Sequence, residues 1–105
     1  MAVASVYPQN SSANEFTAKQ VLDWKETSQN NLFQDSIAMT SIIATQTGRH
    51  DHIATCIDGW YFVSDDVRAS RNSEIRDALR RFPDSHPQAI ILAVIQKACG
   101  KFGDS

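Results

Sequence analysis

The sequence predicts a single small α+β domain, and three observations carry that prediction. An Asp-Gly pair at positions 58–59 separates two apolar stretches that alternate like the strands of a β-hairpin. A capping signal at Thr17 opens a helical pattern early in the chain. The last third shows helical spacing on both sides of Pro83. We therefore expect an N-terminal helix, a small antiparallel meander or hairpin of two or three strands, and two C-terminal helices packed on the sheet.

The first fifteen residues offer little apolar surface for burial. They hold Pro8, three serines and two asparagines among scattered small apolar groups. Such a segment cannot offset the conformational entropy that ordering removes. We therefore expect a disordered tail over residues 1–15 and a single domain over residues 16–105.

The first helix is expected to begin at Thr17. Its hydroxyl can accept a hydrogen bond from the amide three residues on, and the side chain of Gln20 can reach back to the Thr17 amide. Val21 and Trp24 belong to the apolar stripe that follows. The polar run over residues 27–31 is expected to end this helix after about three turns.

The stretch over residues 32–47 combines two patterns. Its first half suits an amphipathic helix, whereas its second half is rich in β-branched residues, which favour strands. We expect a short helical or irregular lead-in and then a strand from about residue 37 to residue 47. Residues 48–51, Gly-Arg-His-Asp, are typical of a turn.

The clearest local signal is the Asp-Gly pair at 58–59. Before it, Ile53, Thr55 and Ile57 alternate as on one face of a strand. After it, residues 60–63 read Trp-Tyr-Phe-Val, which are side chains that favour strands. Because Asp-Gly has the backbone freedom that a two-residue turn requires, we expect these stretches to form a hairpin.

A first C-terminal helix is expected between a cap at residue 72 or 73 and a stop at Pro83. Its buried stripe is expected to comprise Ile75, Ala78, Leu79 and Phe82, which are placed at helical spacing.

A second C-terminal helix is expected from Pro87, a favoured residue at the first helical position, to a stop at Gly100. Residues 89–95 are apolar nearly all round this helix. We therefore expect it to be the most buried element of the domain.

Composition excludes several classes of protein. Ten Lys and Arg against twelve Asp and Glu give a formal net charge of −2, so the chain is not a generally basic nucleic-acid binder. The start lacks the pattern of a secretory signal, and the longest apolar run, residues 89–95, is far shorter than the roughly 20 residues of a membrane helix. We interpret Cys56 and Cys99 as reduced thiols of a soluble cytoplasmic protein without membrane contact.

Arginine is concentrated in one segment. Five of the six arginines lie within fourteen residues. Arg76 and Arg80 are four positions apart on the predicted helix, where two like charges repel each other by a few tenths of a kcal/mol. Guanidinium groups suit phosphate or carboxylate partners, but four acidic residues in the same segment leave residues 65–81 at +1, which favours a protein partner or a salt-bridged solvent face over DNA. The cluster comprises Arg68, Arg71, Arg76, Arg80 and Arg81.

Three aromatic residues follow one another at positions 60 to 62. On a strand, Trp60 and Phe62 share one face, and Tyr61 lies on the other with Val63. If helices cover only one face, the exposed aromatics are suitable anchors for a protein interface or a homodimer. If the N-terminal helix covers the second face, they are core residues.

Motifs for catalysis and cofactors are missing from the sequence. There is no nucleophile elbow, no phosphate-binding loop and no dinucleotide-binding fingerprint. His50, Asp51, His52 and Cys56 supply metal-ligand residue types, but without a recognisable ligand spacing. A helix-turn-helix interpretation fails because the second C-terminal helix has almost no polar side chains for base edges.

These observations favour a small non-enzymatic, regulatory protein-binding module, such as an adaptor, inhibitor or assembly factor, that needs no cofactor and forms a homodimer. It would act through the aromatic hairpin face and the arginine-bearing helix. The alternative is a nucleic-acid-binding protein that uses the cluster from Arg68 to Arg81. A third hypothesis is a small metal-dependent or hydrolytic enzyme built around His50, Asp51, His52 and Cys56.

Overall fold

A computed structural model describes residues 16–102, and the regular structure within that range is entirely helical. The α+β prediction is therefore wrong: residues 16–102 contain five helices and no strand. The predicted tail over residues 1–15 and the last three residues of the predicted domain lie outside the described residues. The helices are Ala18–Leu22 (α1), Glu26–Gln46 (α2), Asp51–Trp60 (α3), Asp65–Arg81 (α4) and Pro87–Cys99 (α5).

The predicted strand over residues 37–47 is the second half of the long helix α2. The helix forms despite the β-branched composition, because it buries Phe33, Ile37 and Ala44 on one face. The threonines also find partners within the helix. Thr40 Oγ1 donates to a backbone oxygen four residues earlier, at 2.8 Å, and Thr45 Oγ1 does the same at 3.0 Å.

The predicted hairpin is the helix α3, and the Asp-Gly pair lies inside its last turn. Ile53, Ile57 and Trp60 follow each other at intervals of four and three residues, and all three are buried. Within the described residues, positive φ angles occur only at Gly48 and Gly100. Gly59 therefore does not adopt the backbone conformation on which the hairpin prediction rested.

Helix α4 begins eight residues before the predicted cap. Ser64 caps it, because its Oγ accepts a hydrogen bond from the amide of Val67 at 3.2 Å. Two aspartates in the first turn and two arginines in the last turn match the helix dipole. The predicted stripe of Ile75, Ala78 and Leu79 is buried, but Phe82 lies past the helix end and is 53% exposed.

Helix α5 begins and ends where the sequence predicts. Pro87 occupies its first turn, and Gly100, with φ of 99°, follows its last residue. It packs against all four other helices. Burial is nevertheless confined to one stripe, because Ile90, Ile91 and Ile95 are buried whereas Leu92 is 38% exposed.

Helix α1 has five residues rather than three turns. Gln20 Oε1 accepts a hydrogen bond from the Thr17 amide at 3.3 Å, so the predicted reach-back is present. The amides of Ala18 and Lys19 donate to carbonyl oxygens in the turn between α4 and α5, at 2.8 and 3.0 Å. These bonds hold the start of α1 against the turn between α4 and α5. The polar run that was expected to end it lies in the first turns of α2.

A disulfide joins Cys56, on α3, to Cys99, the last residue of α5. The interpretation of these residues as reduced thiols is therefore wrong. The two Cα atoms are 5.6 Å apart although 43 positions separate the residues in the sequence. Only the packing of α3 on α5 brings them together. Among residues 16–102, no helix combines the length and the apolar character that crossing a bilayer requires.

Candidate functional site

The three aromatic residues singled out by the sequence lie largely inside the protein. Tyr61 is fully buried, Trp60 is 9% exposed and Phe62 is half-buried. Tyr61 donates its hydroxyl hydrogen to Oδ1 of Asn72 at 2.8 Å, and burial raises the pKa of its phenol. These aromatic side chains therefore act as core in this structure, and the hairpin face that was to present them does not exist.

The structure brings Arg71 together with Trp60. The Arg71 Nε donates to the Trp60 carbonyl oxygen at 2.8 Å, and its guanidinium lies 5.2 Å from the centre of the indole ring. A second contact, from Nη1 to Glu74 at 2.8 Å, neutralises its charge. Arg71 thus joins α3 to α4.

The remaining arginines of the cluster spread around α4. Arg68 pairs with Asp65, and Arg80 pairs with Asp77 at 2.7 Å, each with an acidic residue three positions earlier. Arg81 is exposed. These ion pairs match the salt-bridged solvent face that the mixed charges indicated.

Arg76 differs from the other arginines because it turns toward α2. Its side chain is only 15% exposed. Its Nη1 donates to Asn30 Oδ1 at 2.8 Å and to Gln29 Oε1 at 3.5 Å, and its guanidinium lies 5.8 Å from the centre of the Phe33 ring. Its carboxylate contact is to Glu26 at 3.5 Å, and that side chain is 73% exposed.

Gln29 couples Arg76 to the turn between α1 and α2. This buried side chain donates through Nε2 to the carbonyl oxygens of Leu22 and Trp24, at 3.2 and 3.0 Å. Its oxygen accepts from Arg76. One amide group therefore holds both the backbone of the turn and the guanidinium of α4.

A cleft opens where this turn faces α4. Its volume is about 330 Å³. Trp24 stands at one side, 39% exposed and stacked on Phe16 with ring centres 6.0 Å apart. We call this the arginine cleft, and its lining comprises Leu22, Trp24, Glu26, Gln29, Arg76 and Arg80.

A second surface is apolar and lies between α2 and α5. Met39, Ile42 and Ile43 on α2 are 56%, 54% and 49% exposed, and Leu92 on α5 lines the same groove as Ile43. A groove of about 300 Å³ runs between the two helices and ends at Phe102. We call this the apolar face, and its groove is lined by Thr40, Ile43, Gln88, Ile91, Leu92 and Phe102.

The two helical stretches that form the apolar face contain no charged side chain, and Asp35 lies at its edge near Met39. Residues 36–47 of α2 and its cap, and residues 87–96 of α5, contain no Asp, Glu, Lys, Arg or His. Across the whole chain, 21% of residues are charged. A surface that is both apolar and depleted of charge has the composition of the buried centre of a protein interface.

The metal-ligand residue types near position 50 do not form a site. Within residues 16–102, no group of three or more His, Cys, Asp or Glu side chains is placed to hold a metal ion. Cys56 is bonded to Cys99, and the rings of His50 and His52 have centres 6.3 Å apart. His50 packs edge-on against Phe102, and its Nδ1 is buried without a hydrogen-bond partner.

Sequence reasoning missed the apolar face because it assigned residues 37–47 to a strand. The available signal was the absence of charge over residues 36–47, which on a helix leaves Ile42 and Ile43 without charged neighbours. The sequence pattern places Trp24 in the apolar stripe of the first helix and does not mark it as a surface residue. No local pattern marks Gln29, whose role depends on contacts with two other segments.

Comparison with models of known protein families, with curated proteins and with solved structures finds no match for this chain.

Proposed function

We propose that this protein is a small non-enzymatic protein-binding module, an adaptor, inhibitor or assembly factor, that pairs with a second copy of itself through the apolar face. The observation that carries the proposal is the exposure of Met39, Ile42, Ile43 and Leu92 on helical stretches that contain no charged residue. Fully burying one such side chain contributes about 1.5–3 kcal/mol. Covering four side chains that are already partly buried therefore gives several kcal/mol toward association.

The absence of charge favours a second copy as the occupant. In a two-fold dimer, the same patch contributes both sides of the interface, so residues near the axis face their own copies. A charged patch would then face its own charge, which is repulsive. Residues 36–47 and 87–96 avoid this repulsion because none of their side chains is charged.

The shape of the face also suits this pairing. Residues 36–46 extend about 16 Å along α2, at 1.5 Å per residue. The groove beside them can accept side chains such as Ile43 from the helix of the second copy. Packing of ridges into grooves is the usual way in which two helices bury their side chains.

The disulfide bears on where the protein works. Disulfides form and persist in oxidising compartments and are rare in the cytosol. The Cys56–Cys99 bond therefore favours an oxidising compartment, which we propose in place of the cytoplasmic location expected from the sequence.

Sedimentation velocity at a series of protein concentrations tests the pairing. Wild type should sediment as a dimer at micromolar concentrations, and Ile43→Asp should sediment as a monomer because the new carboxylates would face each other. Val63→Asp is the matched control, since Val63 is 59% exposed but lies in the turn after α3. A monomeric wild type, or a dimer that Ile43→Asp leaves intact, would overturn the proposal.

A further inference from the structure

The arginine cleft combines a buried cation with an exposed indole, and neither is used by the apolar face. We propose that this cleft binds a carboxylate side chain of an acidic peptide segment on a partner protein, with Trp24 packing against the apolar residue beside that carboxylate. The inference rests on the proposed protein-binding function and adds the chemistry of the partner.

The floor of the cleft carries a positive charge, which belongs to Arg76. The inner contacts of Arg76 are to neutral amide oxygens of Gln29 and Asn30, which leave its positive charge in place. Its carboxylate contact, Glu26, is exposed and lies at 3.5 Å. A charge-assisted hydrogen bond between guanidinium and carboxylate is usually about 2.7–2.9 Å long. A carboxylate that enters the cleft can therefore make a shorter bond with Arg76 than Glu26 does.

Arg80 brings a second guanidinium group to the cleft. It follows Arg76 by one helical turn, and both side chains line the cleft. Arg80 is 60% exposed, and Asp77 contacts its Nη1. Two guanidinium groups four residues apart repel each other, so a carboxylate bound between them relieves that repulsion as well as pairing with each.

Trp24 gives the cleft an exposed aromatic side chain. Phe16 stacks on its indole ring, and Gln29 holds its backbone through a hydrogen bond to the Trp24 carbonyl oxygen. A side chain that is ordered before binding loses less entropy when a partner arrives. Tryptophan and arginine are also the residue types in which binding energy is most often concentrated at protein interfaces.

The acidic residues at the rim favour a peptide over a nucleic acid. Glu26 and Asp77 lie next to the two arginines. They would repel the neighbouring phosphates of a polynucleotide, whereas a single carboxylate with an apolar neighbour avoids them. The cleft volume of about 330 Å³ also fits one or two side chains.

Fluorescence anisotropy with labelled peptides tests the inference. The probe is a fluorescein-labelled peptide of neutral residues that carries a single aspartate beside a leucine, and the same peptide with asparagine in place of aspartate is its control. The full chain should bind the aspartate peptide saturably and bind the asparagine peptide at least tenfold more weakly. Arg80→Gln and Trp24→Ala should each weaken binding of the aspartate peptide about tenfold or more.

Arg81→Gln is the matched variant, because it removes the same charge from the adjacent, exposed position outside the cleft. It should change the affinity less than twofold. Equal losses in Arg80→Gln and Arg81→Gln would mean general electrostatic attraction and would overturn the inference. So would an absence of saturable peptide binding, or binding of labelled oligothymidylate in preference to the aspartate peptide.

Sedimentation of the same samples separates this inference from the proposed pairing. If wild type is a dimer but does not bind the aspartate peptide, the cleft inference fails and the pairing stands. If wild type is a monomer that binds the peptide and Arg80→Gln abolishes binding, the pairing fails and the cleft inference stands. If neither is seen, both are wrong.

Discussion

Arg76 on α4 donates a hydrogen bond to Asn30 on α2, with 2.8 Å between Nη1 and Oδ1. This bond joins α2 to α4, and 46 positions separate its two residues in the sequence. We call this contact between the two helices the seam. It places a guanidinium against the ring of Phe33 and beside the buried amide of Gln29. The most enclosed arginine of the cluster therefore has both a structural role and access to the arginine cleft.

Arg76→Ala should lower the free energy of unfolding by about 1–3 kcal/mol, because the oxygens of Asn30 and Gln29 lose a donor and the Phe33 ring loses its cover. Urea unfolding followed by circular dichroism measures the change. Arg81→Ala, at an exposed position, should stay within about 0.5 kcal/mol of wild type. An equal stability for both variants would show that the seam does not depend on Arg76.

Gln29→Ala should destabilise the protein by about 1–3 kcal/mol, since the carbonyl oxygens of Leu22 and Trp24 lose their amide donor. The turn should also loosen, so hydrogen exchange of its amides should become faster than in wild type. Gln34→Ala is the control, because Gln34 lies on the same helix and is exposed. A Gln29→Ala variant with unchanged exchange in residues 22–25 would contradict this role.

Tyr61 should make the free energy of unfolding fall as the pH rises into the alkaline range. Burial raises its pKa in the folded state, so the unfolded chain loses this proton first, near the ordinary value of 10.0. Its contribution is fully present below pH 10 and is lost as the pH rises through the folded pKa. Tyr61→Phe should therefore flatten the decline of stability above about pH 10.

At neutral pH, Tyr61→Phe should be less stable than wild type by about 1–3 kcal/mol, because Asn72 Oδ1 loses its buried donor. Unfolding in urea at several pH values compares the two proteins. Parallel curves up to the alkaline limit would show that Tyr61 does not titrate with folding.

Removal of the disulfide should lower the free energy of unfolding by about 4 kcal/mol, the loop-closure entropy expected for a loop of 43 residues. The double variant Cys56→Ala/Cys99→Ala measures this without a reductant. Intact mass after alkylation under non-reducing conditions is the control, because both cysteines are bonded and should not react. Alkylation of two thiols in the native protein would contradict the disulfide.

The ends of the C-terminal helices could be predicted from sequence because their signals are local. The ring of Pro87 fixes its φ angle and Gly100 permits a positive φ, and α5 begins at the first and ends just before the second. Pro83 likewise lies just past the end of α4. The spacing of Ile75, Ala78 and Leu79 identified the buried stripe of α4, because intervals of three and one residues share a helix face but not a strand face.

The helices α2 and α3 could not be predicted, because their local signals favour either structure. Ile53 and Ile57 lie on one face of a strand and also one turn apart on a helix. β-branched residues have only a weak preference, which burial of Ile37 and Ala44 against the other helices overrides. A helical Asp-Gly pair shows that glycine permits a turn without requiring one.

The candidate surfaces depend on tertiary contacts that no short pattern contains. The sequence identified the arginine cluster but not that Arg76 alone turns inward to α2. It identified the exposure or burial of Trp60 as two alternatives, and packing against Arg71 decided for burial. Two cysteines 43 positions apart likewise become a bonded pair only when α3 lies on α5.

The most direct test of pairing through the apolar face is an isotope-filtered NMR experiment on an equal mixture of ¹³C-labelled and unlabelled protein. Contacts between copies should appear at the methyl groups of Met39, Ile43 and Leu92, and should disappear in Ile43→Asp. Contacts between copies at other methyl groups only, or no such contacts at concentrations where wild type sediments as a single species, would contradict the account.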